Sequence, residues 1–180
     1  MLRVILACAL LLYPLAVYLG IQVLAPWKMA LALLVVLTAR FFLSPADRQL
    51  GWPLMGFGVL YCAFAIWQNS ALGLRLYPVG VNACFFLLFA LSLLYPPPIV
   101  ERLARMQDPN LSAQGVIHTR KVTQVWCVFF IVNGLIAAGT ALWGSFFWWS
   151  LYNGFISYML IGLLMGIEYL IRIRMQAREQ

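Results

Sequence analysis

Two side chains in this sequence have the chemistry to move protons. His118 is the single histidine and stands in the basic stretch His118-Thr119-Arg120-Lys121; Glu168 is a carboxylate set inside an otherwise apolar run. Acid–base catalysis needs an imidazole with a carboxylate or substrate within hydrogen-bond reach. The loop carboxylates Glu101 and Asp108 belong to no motif that supplies one, so His118 is expected at a solvated interface. Glu168 lies four residues before Arg172, the spacing of an ion pair along a helix, and an interfacial Glu168–Arg172 pair is expected. A proton-coupled or substrate-binding carboxylate is the alternative, because ionisable groups inside a membrane are functional by default. A single histidine without a neighbouring cysteine has no metal-ligand spacing. Cys8, Cys62, Cys84 and Cys127 fall in four different apolar runs without a CxxC pair, and read as small buried apolar residues rather than a disulfide or zinc framework. No Walker, Rossmann, GxSxG or HExxH pattern occurs. The expectation is therefore no catalytic residue, no cofactor and no metal.

The elements that position these residues follow from composition. Of 180 residues 64% are hydrophobic and 9% charged, with mean hydropathy +0.92. Soluble domains carry about 25% charged residues, so a soluble globular domain is excluded, and a disordered chain has the opposite composition. A helix needs about 20 apolar residues to cross a bilayer core. Six stretches qualify: 4–24, 27–43, 50–68, 77–95, 122–143 and 149–171. They are apolar on all sides, whereas barrel strands alternate. The predicted fold is all-α: a polytopic membrane helix bundle of about six transmembrane helices, forming a single integral membrane domain over 1–180. Ile5-Leu6-Ala7-Cys8 faintly resembles a lipoprotein cleavage box, but the apolar run continues past it to Leu24, so an uncleaved first span is expected.

Net charge is +7. No basic stripe is interleaved with aromatics, which argues against nucleic acid. With the N-terminus inside, the six-span arrangement puts ten cations on the cytoplasmic side (Arg3, Arg40, Arg48, Arg102, Arg105, Arg120, Lys121, Arg172, Arg174, Arg178) and two outside (Lys28, Arg75). Basic loops stay in the cytoplasm, so both termini are expected there. Trp27, Trp67, Trp143, Trp148 and Trp149 fall at predicted outer ends, Trp52 and Trp126 at inner ends, where indole rings favour the headgroup level.

The one substantial loop is 96–121, cytoplasmic in this arrangement. Pro96-Pro97-Pro98 stops the fourth span. Ile99 to Gln107 then reads as a short amphipathic helix on the membrane surface, with Ile99, Leu103 and Met106 on one face and Glu101 and Arg105 paired on the other. Arg102, Arg105, Arg120 and Lys121 are the candidate contacts for a protein partner or for lipid.

The last two spans carry a packing pattern. Asn133, Ala137, Ala141 and Gly144 share a face, with Gly134 beside them; Gly162 and Gly166 form a GxxxG that Gly154 extends. Small residues allow close helix approach. Gly162 and Gly166 are expected to face the fifth span, or a second copy in a homo-oligomer, and Asn133, Asn153 and Ser157 to add interhelical hydrogen bonds. Asn82 is the one further polar residue at comparable depth, which gives a channel little support.

The order of features in the second half resembles the intracellular septation protein A family of bacterial inner membranes. The matching residues are the proline-rich end of span four, Pro98-Ile99-Val100-Glu101-Arg102-Leu103, and Val125-Trp126-Cys127-Val128-Phe129-Phe130-Ile131-Val132-Asn133-Gly134, with a fainter echo in Leu15-Ala16-Val17-Tyr18. The resemblance implies an inner-membrane protein that supports envelope integrity, elongation or division through partners, with no catalytic residue. The family's loop is richer in lysine and lacks the triple proline, which leaves open a related but separate branch; the resemblance, not these residues, suggests that such a branch accompanies aryl-polyene or fatty-acid-like biosynthesis genes. The leading expectation is a non-enzymatic scaffold or envelope-maintenance protein whose partners are the bilayer and a protein docking on 96–121. The alternatives are a small transporter or export component for a lipid-like product, and an accessory subunit of a membrane-associated acyl-lipid pathway.

Overall fold

A computed structural model describes residues 25–43 and 48–179; the expected first span, 4–24, lies outside them. The described residues are helical, with no strand among them. Helix α1 (Pro26–Leu43) opens on a proline, whose missing N–H is unneeded in a first turn. Helix α2 (Arg48–Gln68) closes at Asn69, which takes the left-handed conformation, φ 43°, common at helix C-termini. The Asn69 side-chain oxygen accepts from the Trp27 backbone N–H at 3.3 Å, tying the end of α2 to the start of α1. The two helices pack through Leu33, Cys62 and Ala65, and a Cβ built on Gly58 would stand 2.8 Å from Leu37 Cδ1.

Ser70 caps the short helix α3 (Ala71–Arg75) by accepting from the Gly73 N–H at 3.1 Å. Helix α4 (Tyr77–Leu94) runs to the three prolines, and α5 (Ile99–Gln107) follows them. Helix α6 (Ala113–Leu142) is next, with the Ser112 hydroxyl accepting from the Gly115 N–H at 3.1 Å near its start. A turn at residues 143–145 leads to α7 (Phe146–Leu151), a widened π-type turn (Tyr152–Ile156) and α8 (Ser157–Glu179).

Among the described residues three helical stretches are long and apolar enough to cross a membrane: Tyr77–Leu94, Ala113–Leu142 and Phe146–Met175. The expected second and third spans are helical, but their apolar segments, Trp27–Ala39 and Met55–Trp67, are shorter. The expected loop 96–121 contracts, because α6 begins at Ala113 and carries His118 to Lys121 on its first turns. Hydropathy marks where a helix enters lipid; the helix itself starts where its first N–H groups find a cap.

The described residues form two compact units. The first takes in the chain up to Val81 with Leu135–Ile156, the second Asn82–Gly134 with Ser157 onward. In the first, Met29, Ala30, Leu33, Cys62, Ala65, Leu74, Ala141 and Trp149 form the core. Trp149 is 0% exposed, so its ring serves the core of this unit. In the second, Phe85 stacks on Phe130 at 5.3 Å between ring centroids, and Phe89, Trp126 and Phe129 complete the cluster. Trp126 is thus also a packing residue.

Candidate functional site

Helix α6 shows why polar residues collect along one line. Thr119, Thr123, Cys127, Phe130, Asn133, Ala137 and Ala141 are buried at helical spacing, while Val125, Val128, Val132 and Leu135 are exposed. Within the second unit, Asn133 Nδ2 donates to Asn82 Oδ1 of α4 and to Ser157 Oγ of α8, each at 3.0 Å. All three residues are buried. A Cβ on Gly134 would lie 3.2 Å from Asn82 Cβ, so the glycine lets α4 close on α6. An amide without partners in an apolar setting costs several kcal/mol on hydrocarbon scales, roughly 4–8; these three side chains supply each other with partners. The cluster is neutral and its chemistry is that of a clamp joining three helices.

In the first unit the organising residue is Arg75. Its Nη2 donates to the carbonyl oxygens of Thr140 at 2.6 Å and Gly144 at 2.5 Å. These are carbonyls at the C-terminal end of α6, where the helix dipole favours a cation. The guanidinium lies 5.0 Å from the Phe146 ring centre. Trp149 Nε1 donates to the Arg75 carbonyl at 2.9 Å. Asn153 Nδ2 donates to Thr140 Oγ1 at 3.2 Å and to the Trp149 carbonyl at 2.9 Å, so it takes up an acceptor beside the widened turn. Burial lowers the Arg75 pKa from its ordinary value, yet an arginine stays charged. The sequence offered Arg75 only as a loop cation; the available signal was a charge beside a span with a Gly-Ser turn elsewhere to receive it.

The third group lies at one end of the second unit. His118 Nε2 is 3.7 Å from Glu168 Oε1, with the side chains 15% and 26% exposed. His118 is therefore largely enclosed rather than solvated. Glu168 faces it in place of Arg172, which instead donates to Gln107 Oε1 at 3.3 Å and sits 5.7 Å from the Tyr169 ring. Helical spacing permitted the Glu168–Arg172 pair, but contacts with α5 and α6 drew the two side chains to different partners. On α5, Arg105 pairs with Glu101 at 2.8 Å, and Arg102 donates to the carbonyls of Pro97 at 2.8 Å and Tyr95 at 3.4 Å. Arg120 and Lys121 are exposed on α6.

The remaining packing residues divide. Ala137 and Ala141 are buried, and Gly144 sits where a Cβ would be 2.7 Å from the Thr140 carbonyl oxygen. Gly154 falls in the widened turn, half-buried. Around Gly162 and Gly166 a Cβ would meet nothing within 4 Å. The close approach expected of the GxxxG is not made among the described residues, because small size permits contact without compelling it.

The fold and these sites define the class: an all-helical protein whose described residues include three membrane-length apolar helices, fastened by buried polar contacts. No protein-family model, curated protein or solved structure matches the chain.

Proposed function

We propose that this chain is a non-enzymatic, multi-pass protein of the bacterial inner membrane, with about six spans and both termini in the cytoplasm, that serves as a scaffold for partner proteins in envelope maintenance. The observation that carries this reading is how the buried polar side chains are used. Asn82, Asn133 and Ser157 bond one another, and Arg75 bonds the end of α6. Groups committed to holding helices together leave recognition to the surface, where α5 and the start of α6 stand outside the most apolar segments. The charge asymmetry and the likeness to the septation protein A family support the same reading.

Complementation of a host deletion tests it. Asn133→Ala, brought to wild-type abundance, restores cell length and septation, and a chain lacking 99–107 does not. Loss of function by Asn133→Ala at unchanged abundance and fold points to a transport path and overturns the scaffold reading.

The approach of His118 to Glu168 favours a second reading, an accessory subunit acting on acyl lipid at headgroup level, since an imidazole facing a carboxylate is the arrangement acid–base chemistry uses. Unchanged membrane acyl-lipid composition in a His118→Asn strain removes it.

A further inference from the structure

Two contacts gather α5, α6 and α8 at one end of the second unit, Arg172 to Gln107 and His118 to Glu168, while Arg105 pairs with Glu101 within α5. Helix α5 buries Ile99 at its start together with the Glu101 carboxylate, and leaves Leu103 and Met106 outward. Glu101 is 6% exposed, whereas Leu103 is 49% and Met106 72% exposed. In water that orientation is unfavourable, since burial of apolar surface is what drives packing; against acyl chains it is the favourable one.

The cations at this end are of two kinds. Arg102 and Arg105 are held by chain carbonyls and by Glu101, and Arg172 by Gln107. Arg120, Lys121 and Arg174 are exposed and make no hydrogen bond or ion pair among the described residues. Arg120 and Lys121 lie on the exposed stripe of α6 that continues through Val125, Val128 and Val132, so they mark the level where that stripe changes from charged to apolar. Of the carboxylates nearby, Glu101 is paired with Arg105, Glu168 Oε1 stands 3.7 Å from His118 Nε2, which makes no hydrogen bond, and Asp108 accepts from the Asn110 N–H at 3.1 Å. With Arg102, Arg105, Arg120, Lys121, Arg172 and Arg174 against Glu101, Asp108 and Glu168, the net charge of these residues is positive.

We infer that this end of the second unit binds anionic phospholipid headgroups, with Arg120, Lys121 and Arg174 as the headgroup contacts and Leu103 and Met106 as the apolar anchor beside them. The inference rests on the membrane reading above and narrows the choice between lipid and protein at these cations. A free phosphate has no use for the apolar edge, so the ligand is a lipid of the surrounding bilayer.

The test is native mass spectrometry of the full chain released from nanodiscs containing phosphatidylglycerol and phosphatidylcholine, alongside thermal unfolding in phosphatidylcholine alone. Wild type retains phosphatidylglycerol preferentially. R120Q, K121Q and R174Q each reduce that preference, by about fivefold per cation removed, without changing thermal stability. R102Q and R105Q lower stability in either lipid and keep the preference. L103Q/M106Q weakens retention of both lipids. Equal retention of the two lipids by wild type overturns the inference, as does a K121Q or R120Q protein that folds and keeps the full preference. An acidic protein as the true occupant gives that same result. The assay contains only protein and lipid, so failure of the scaffold reading leaves its outcome unchanged, and a lost lipid preference leaves the complementation outcome unchanged.

Discussion

Arg75 donates to the carbonyl oxygen of Thr140 at 2.6 Å across a sequence separation of 65 residues. The contact joins the segment between α2 and α4 to the last turn of α6, and Trp149 closes it from the other side by donating to the Arg75 carbonyl. A cation that sequence reading leaves as a loop charge is thereby a helix cap shared by three elements.

Removing that cap has a measurable effect. Arg75→Met leaves two carbonyl oxygens without their charged donor and is expected to lower unfolding stability in detergent by about 2–3 kcal/mol. Arg75→Lys recovers only part, because an ammonium lacks the rigid planar fork of a guanidinium. Full recovery by lysine in a denaturation series contradicts this account.

The Asn133 clamp is tested by coupling rather than by single losses. A double-mutant cycle of Asn82→Ala and Asn133→Ala is expected to give a coupling energy of roughly 0.6–1.7 kcal/mol, the range found for polar contacts between membrane helices. Strictly additive effects indicate that the two amides stabilise the fold independently.

Two glycines predict opposite outcomes. Gly144→Ala sets a methyl 2.7 Å from the Thr140 carbonyl oxygen that Arg75 uses, and is expected to cost about 1–3 kcal/mol. Gly166→Leu meets open space and is expected to stay within about 0.5 kcal/mol. Unfolding midpoints of the two variants, measured side by side at low protein concentration, decide the matter.

Neighbouring tryptophans separate in the same way. Trp149→Ala opens the core of the first unit and is expected to cost about 3–5 kcal/mol, while Trp148→Ala, on an exposed ring, is expected to cost under about 1 kcal/mol. Equal losses contradict the burial difference.

The proposed six-span topology makes its own prediction. Reporter domains fused after Gln180 and within residues 146–148 are expected on opposite sides of the membrane. Protease protection of both from the same side removes the topology and, with it, the cytoplasmic assignment of α5.

Helical content and three of the six expected membrane-length segments were legible without coordinates, as were the proline stop before α5 and the Glu101–Arg105 pair on it. Each depends on consecutive residues or on spacing within one helix. The start of α6 was less legible, because a cap at Ser112 and a buried Thr119–Thr123 face carry the helix beyond the apolar window. Glu168 and Arg172 kept their helical spacing yet took different partners on other helices.

By itself the sequence determined that this protein is helical and suited to lipid: backbone groups in a bilayer must be bonded within their own segment, and 64% hydrophobic residues in long runs meet that condition. Tertiary structure alone decided which side chains meet. In water, a polar outer face tells which side of a helix is buried. In lipid both sides are apolar, so that signal fades and sequence cannot say that Trp149 is enclosed while Trp148 is exposed, although successive helical residues point about 100° apart. For the same reason Gly162 and Gly166, in a recognised packing motif, meet nothing within 4 Å among the described residues, whereas Gly58, outside any such motif, stands at a close approach. A small residue permits a contact; only the partner helix, arriving from a distant part of the chain, makes it.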